Sequence, residues 1–389
     1  MVVALLTPLV LQNQVLDAYV VSTPSMEPTI EGDPSLGDRV LVDKLWDNLS
    51  RPSRFHLVVF HHKSKTVVKR VVGLPMEWLK IEDFDLWIGD EASSLRRIQK
   101  SPSKDWDMFS TYWDSDRSPG GFHSNRWTLN SSVVSKKGEI ILEGTQTKEE
   151  DLFAEAERIH SKPPLNRKLP WHMRFMGTIT TGYIDGFGRL KEVSGGKNAA
   201  ARDFGIKGNF RLQDNGKLWI LYRYIDTPFI LIFGGGQVRV WKDSQLLTQS
   251  PLIPALKTKK TLKFTFLFLD GRFCLALNGQ DVWEFEPRQL SPKRLNLGLF
   301  PGNSLMLASS GGNIEIKNLK IIHDFHYLEL GNFGSWSPIR LQQNQYFVLG
   351  DNSRDSQDSR HFGPIQGSSI IGRPLMVAAP WNRFHFFHH

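Results

Sequence analysis

From residue 18 onward, apolar positions recur in short runs with a β pattern. Arg39–Val42, Leu57–Phe60 and Thr66–Val72 are rich in β-branched residues, and Leu79–Glu82 and Asp85–Ile88 predict a hairpin about Asp83-Phe84. No stretch sustains the 3.6-residue period of a long helix, and the best helical candidate is Lys148–His160. The character changes near residue 99, where Ser101–Asn125 is rich in Ser, Asp, Gly and Pro. Strands then recur at regular spacing up to about residue 325. They include Glu139–Leu142, Leu218–Tyr222, Phe229–Ile232, Gln237–Trp241, Leu262–Leu269, Phe273–Leu277 and Asn313–Ile321. Asp214-Asn215-Gly216, Gly234-Gly235-Gly236, Asp270-Gly271 and Asn278-Gly279 supply the turns between them. Many short antiparallel strands joined by glycine turns predict a sandwich. Leu328–Pro338 reads as a second linker, after which Gln345–Leu349 and Ile370–Ala379 resume the strand pattern.

This pattern predicts a mostly β chain in which a core is interrupted by a large antiparallel β-sandwich. The expected divisions are an N-terminal segment 1–17, a first core part 18–98, an inserted domain 99–335 and a second core part 336–389. Insertion is tolerated where the ends of the guest lie close together at a surface turn.

The N-terminus changes the picture. Met1–Leu11 is apolar apart from Thr7, contains Pro8 and gives way to Gln12-Asn13-Gln14. It falls short of the ~20 residues a spanning helix needs. It has neither the basic start nor the small-residue cleavage site of a secretory leader. Three readings stand: the tail of a truncated membrane anchor, an interfacial segment, or a buried strand or helix.

A hydrophobic fraction of 40% with 23% charged residues allows a packed core, and a net charge of +8 suits proximity to an anionic membrane surface. Without a dense basic stripe interleaved with aromatics, no nucleic-acid partner is expected. The single cysteine, Cys274, excludes an intrachain disulfide and reads as a small buried hydrophobe. His61 and His62 are neighbours on a strand and point apart, so they cannot chelate together. His385–His389 reads as a frayed tail. No metal and no cofactor is expected.

Three segments carry chemistry. Ser25 lies between Pro24 and Pro28 in a rigid turn after an apolar strand. A serine needs a base to become a nucleophile. Lys69 lies in the otherwise apolar run Val67-Val68-Lys69-Arg70-Val71-Val72, where burial would disfavour its ammonium. Arg70, its neighbour, points to the opposite strand face. Gly350–Pro364 is dense in Asp, Asn, Ser and Arg, which suits a hydrogen-bonded loop that orients groups and pairs charges. Each segment taken alone is an ordinary turn, strand lysine or surface ion pair; the ordered set carries the argument.

That set resembles type I signal peptidases. Ser25-Met26-Glu27-Pro28-Thr29 is similar to the family's Ser-Met-x-Pro-Thr box, and Lys69-Arg70-Val71-Val72-Gly73-Leu74-Pro75 to its lysine box. Gly350-Asp351-Asn352 followed by Ser356 and Asp358-Ser359-Arg360 resembles the last box, and Gly37–Val42 the strand between the first two. The resemblance implies a serine endopeptidase with Ser25 as nucleophile and Lys69 as general base. It implies an oxyanion hole from the Thr23 hydroxyl and the Ser25 N–H, and a Ser356 that orients Lys69. Asp358 would pair with Arg70 and Arg360, and Val21, Met26, Val67 and Val68 would line small pockets. The implied partners are signal peptides of secreted preproteins and the membrane lipid interface, with the catalytic domain on the extracytoplasmic side of the cell membrane. Met76-Glu77 departs from the usual Gly-Asp, and the N-terminal anchor is weak.

The middle domain resembles concanavalin-type (jelly-roll) sandwiches by strand grammar. Trp219, Trp241 and Trp283 could form a glycan platform or pack the core, and a protein ligand is equally open. Two other functions follow from the same residues: a glycan- or protein-binding module on a vestigial peptidase core, and a serine–lysine protease with one dedicated substrate.

Overall fold

The run Leu57–Phe60 is apolar at every position because both of its faces are covered. Leu57 and Val59 join Val21, Met26, Ile30, Val40, Val42 and Val377 on one side. Val58 and Phe60 join Val71, Tyr346, Val348, Ile365 and Ile370 on the other. In a computed structural model describing residues 15–45, 51–117, 127–129, 133–136, 139–144, 150–154, 173–175, 183–184, 190–191, 201, 203–213, 215–224, 227–287 and 304–387, these side chains flank an antiparallel sheet.

The order of that sheet knits the two ends of the sequence into one core. Leu16–Val20, Arg39–Asp43, Ile370–Ala379, Leu57–His62, Lys65–Gly73, Gln345–Leu349 and Ile365–Gln366 lie side by side. A strand from the C-terminal flank therefore sits between two from the N-terminal flank. A smaller sheet holds Trp78–Glu82 and Asp85–Gly89, with Arg96–Arg97 and Ile339–Arg340 at its edges. Its hairpin turns at Asp83-Phe84, both left-handed (φ 54° and 69°), the primed turn that matches strand twist.

Contacts divide the chain into two units. One comprises the core, up to Gln99 and from Phe325 onward; the other lies between Lys100 and Asp324. The return to the core thus comes at Phe325, ahead of the expected 336. The stretch read as a linker, Leu328–Pro338, is held in place: Ser335 is buried, the Leu328 N–H donates to Ser353 Oγ (2.8 Å) and the Asn332 N–H to the Arg360 carbonyl (2.7 Å).

The second unit is an antiparallel β-sandwich. One sheet runs Val133–Lys136, Glu139–Leu142, Ile314–Asp324, Phe204–Leu212, Leu262–Leu269, Arg272–Leu277 and Gln280–Phe285, with Phe109–Asp114 also on Ile314–Asp324. The other runs Gln245–Gln249, Gln237–Lys242, Thr227–Gly234, Lys217–Tyr224, Ser304–Ser310, Met173–Phe175 and Trp127–Leu129. Alternate residues of both sheets fill one core, among them Phe210, Phe264, Phe266, Ile220, Tyr222 and Phe233. Each fully buried side chain of this kind contributes about 1.5–3 kcal/mol of transfer free energy. Each of these four sheets draws its described strands from one unit alone.

Three expectations need correction or sharpening. Trp219 is fully buried and Trp241 packs against Phe153 at 4.8 Å, beneath a short helix at 150–154, so neither stands open as a platform. Residues 148–149 and 155–160 of the expected helix and the N-terminal segment 1–14 lie outside the described residues. The histidine-rich end is not frayed at His385-Phe386, which pairs with Val377 and Met376. No helix among the described residues is long and apolar enough to cross a membrane. Cys274 is buried, and that burial pushes its thiol up to about 12, leaving it inert at neutral pH.

Met76 takes φ 72°, a conformation that disfavours side chains. It stands where the resemblance would put a glycine. Met76→Gly is therefore expected to raise stability by roughly 0.5–1 kcal/mol, the relieved strain being partly offset by the freer unfolded chain. Chemical denaturation measures it, and a destabilised variant would show that the exposed side chain matters more than the backbone.

Candidate active site

After the edge strand Leu16–Val20 the chain turns sharply. The Val21 N–H donates to Asp38 O (2.9 Å), and Pro24-Ser25-Met26 forms a single 3-10 turn closed by Glu27 N–H to Pro24 O (3.0 Å). Met26 and Ile30 are fully buried and pin this turn to the sheet. Pro24 presets the backbone angle of the turn's first position. From the other flank Asn352 clamps the turn: its N–H donates to Ser25 O (3.2 Å) and its Nδ2 to Pro24 O (3.1 Å). Glycine is required at 350, because a Cβ there would lie 2.4 Å from Ser25 O and 2.2 Å from Ser356 Oγ.

Lys69 reaches this turn from the middle of Lys65–Gly73, paired in register with Val58. Its Nζ donates to Ser25 Oγ at 2.7 Å and to Val68 O at 2.9 Å. Both side chains are buried, Ser25 at 7% exposure and Lys69 at 3%. Burial lowers the Lys69 amine from 10.5 to about 8; Asp358 and Asp351 pull it back up, and Arg360 adds to the lowering. Thr23 Oγ1 lies 3.3 Å from Ser25 Oγ, so hydroxyl, hydroxyl and amine converge.

The expected supporting residues rearrange. Asp358 does face Arg360, whose Nε and Nη2 donate to it at 2.8 and 2.7 Å. The bidentate partner of Arg70 is instead Asp351, at 2.7 and 2.6 Å, with Thr29 and the Phe55 carbonyl completing the group. Arg70 is buried together with Lys69, and each cation has its own surroundings. Ser356 Oγ is buried but makes no hydrogen bond among the described residues, so the expected bond to Lys69 is not present. Val21, Met26 and Val68 share one apolar cluster, whereas Val67 packs on the opposite side with Val58 and Phe60. The alternation of a strand separates neighbours in this way. Asp351 and Asn352 stood in the last box, but no one-dimensional signal said which backbone or cation they would meet.

Comparison with known proteins bears directly on this arrangement. The family model described as signal peptidase, peptidase S26, matches residues 1–155 and 310–379, more than half of the chain. The chain belongs to the signal peptidase family. Signal peptidase I P of Bacillus subtilis subsp. natto is 30% identical over 135 residues, covering 33% of this chain and 69% of that protein. Signal peptidase I of Bacillus caldolyticus is 36% identical over 75 residues, covering 19% of this chain and 39% of that protein. The matched stretch thus spans about two-fifths of the latter's length. Among solved structures, sheep galectin-11 in complex with glycerol is similar over 32% of this chain and 92% of its own, at 14% identity and a TM-score of 0.23. The family match breaks off at residue 155 and resumes at 310, within the sandwich unit at both ends. As a signal peptidase family member the chain is a peptidase by class.

Proposed function

We propose that this signal peptidase family member cleaves the signal peptides of exported preproteins as a serine endopeptidase, with Lys69 as the general base for Ser25. The observation that carries the reading is the 2.7 Å contact between Lys69 Nζ and Ser25 Oγ in a buried setting that brings the amine to about 8. The neutral amine takes the Ser25 proton as Oγ attacks the scissile carbonyl carbon. The oxyanion that forms is met by the Thr23 hydroxyl and the Ser25 N–H. The Lys69 ammonium then protonates the leaving amine, and the same amine activates water to release the acyl group. Val21 and Val68, backed by buried Met26, favour small apolar residues before the cut.

The sheet end that leads into the Ser25 turn carries exposed apolar groups. Trp381 is 84% exposed, and its ring continues through Phe384 (5.4 Å) to Phe386 (5.5 Å). Val20, exposed on the edge strand, pairs with Arg39, which in turn pairs with Ala379 just before this aromatic segment. Such a patch suits contact with the lipid interface on the extracytoplasmic side, where signal peptides emerge.

The purified chain in mixed micelles is expected to cut a synthetic precursor that carries Ala at the first and third positions before the cut. A bulky residue at either position should stop it. Cleavage should rise with pH and reach half its maximum at about pH 8, because the protonated amine has no lone pair to accept the serine proton. A rate that falls with rising pH over 6–9, or indifference to the two alanines, would remove this reading.

A further inference from the structure

The C-terminal segment sends one side chain back toward the nucleophile turn. Trp381-Asn382-Arg383 is a 3-10 turn following Ile370–Ala379. Arg383 donates from Nε to Asp38 Oδ1 (2.9 Å), from Nη2 to Asp38 Oδ2 (2.8 Å) and from Nη1 to Glu31 Oε1 (2.6 Å). Asp38 is 1% exposed, and its own Oδ2 also accepts the Glu31 N–H (2.8 Å). A forked cation thus closes the loop 31–38 at both ends, a geometry that guanidinium supplies and ammonium does not.

That loop holds the segment before Ser25. The Asp38 carbonyl accepts the Val21 N–H (2.9 Å), and the Asp33 N–H donates to Val21 O (3.1 Å). Gly32 lies so close beneath Thr23 that a Cβ on it would sit 1.7 Å from the Thr23 carbonyl oxygen. Movement of the loop is therefore transmitted to Thr23, whose hydroxyl is 3.3 Å from Ser25 Oγ. Close packing of this kind passes on small displacements rather than absorbing them.

We infer that Arg383 is a positioning residue: by bridging Glu31 and Asp38 it fixes the loop under Thr23 and so sets the geometry of the oxyanion side of the site. The inference rests on the roles given above to Ser25 and Thr23. It assigns to a residue beyond the last sequence box an effect on the rate of the chemical step.

Two measurements on the full chain test it. In amide hydrogen exchange, Arg383→Gln is expected to speed exchange at Val21 and Asp33 by at least about tenfold, with strand Leu57–His62 unchanged. In precursor cleavage, kcat per folded molecule should fall by about 10²-fold with KM held, the usual cost of a small misplacement, while Arg383→Lys recovers part of the loss. In a Thr23→Val background Arg383→Gln should cost little more, since both act on one group. Unchanged exchange at Val21 and Asp33 overturns the brace whatever the activity. Full additivity with Thr23→Val overturns its route through Thr23. Faster exchange in a chain whose wild type cuts no precursor leaves the brace standing and rejects the protease reading instead.

Discussion

Ser25→Ala and Lys69→Ala are each expected to reduce precursor cleavage to background, a loss of about 10⁴–10⁶-fold in kcat by analogy with other serine nucleophile–base units. The two losses do not add, because a hydroxyl without its base and a base without its hydroxyl are equally idle. Lys69→Arg should be as inactive as Lys69→Ala, since a guanidinium stays protonated at any working pH. Lys69→Met separates chemistry from folding. The Lys69 amine sits at about 8 when folded against 10.5 otherwise, so the unfolded chain binds more protons between those values. Stability therefore rises with pH across that window and is lowest below about pH 8. Methionine removes this cost, on the order of 3 kcal/mol at neutral pH. The inactive Lys69→Met protein should accordingly melt higher than wild type at pH 7, with a gap that closes toward pH 10. Retained cleavage in any of these variants, or a Lys69→Met protein less stable at pH 7, would contradict the buried-base account.

Asp358→Ala is expected to destabilise the core by about 3–5 kcal/mol, a large share of the ~5–15 kcal/mol stability of a typical domain. Arg360 is fully buried, and among the described residues its acceptors besides Asp358 are neutral: the Leu328 carbonyl (3.0 Å), Ser353 Oγ (2.6 Å) and the Ser353 carbonyl (2.7 Å). Removing the carboxylate strands a desolvated cation. Asp358 also accepts the Gly350 N–H (3.1 Å), so the loop that carries Asn352 loosens with it. The paired replacement Asp358→Leu with Arg360→Met should recover much of the loss, because it removes the charge along with its partner. Urea unfolding of the three proteins decides the matter. A cost under about 1 kcal/mol for Asp358→Ala would mean that water or relaxation reaches Arg360. Asp358 also raises the Lys69 amine, so Asp358→Asn, if folded, should shift the pH–rate midpoint to lower pH.

Much of this was legible in one dimension. Leu262–Leu269, Gln345–Leu349 and Ile370–Ala379 fall where the alternation and the turn residues placed them. Phe204–Leu212, in the interior of the sandwich sheet, gave no such signal because Gly205 and Gly208 interrupt its apolar pattern. Its glycine answers a neighbour distant in sequence: a Cβ on Gly205 would lie 1.9 Å from the Phe266 carbonyl oxygen. Nothing local announces such an approach.

The sequence by itself determined most of the long strands, the turns at Asp83-Phe84 and Asp270-Gly271, and the residue types of the candidate site, because these depend on side-chain alternation and on backbone angles set within a few positions. It also foretold the lowered Lys69 amine, since an apolar run around a lysine implies desolvation. Tertiary structure alone decided the partners. Arg70 meets Asp351, 281 positions away, and Arg383 meets Asp38, 345 positions away. Charges choose partners by distance and by the loss of water, and both exist only once the two ends of the chain share a sheet.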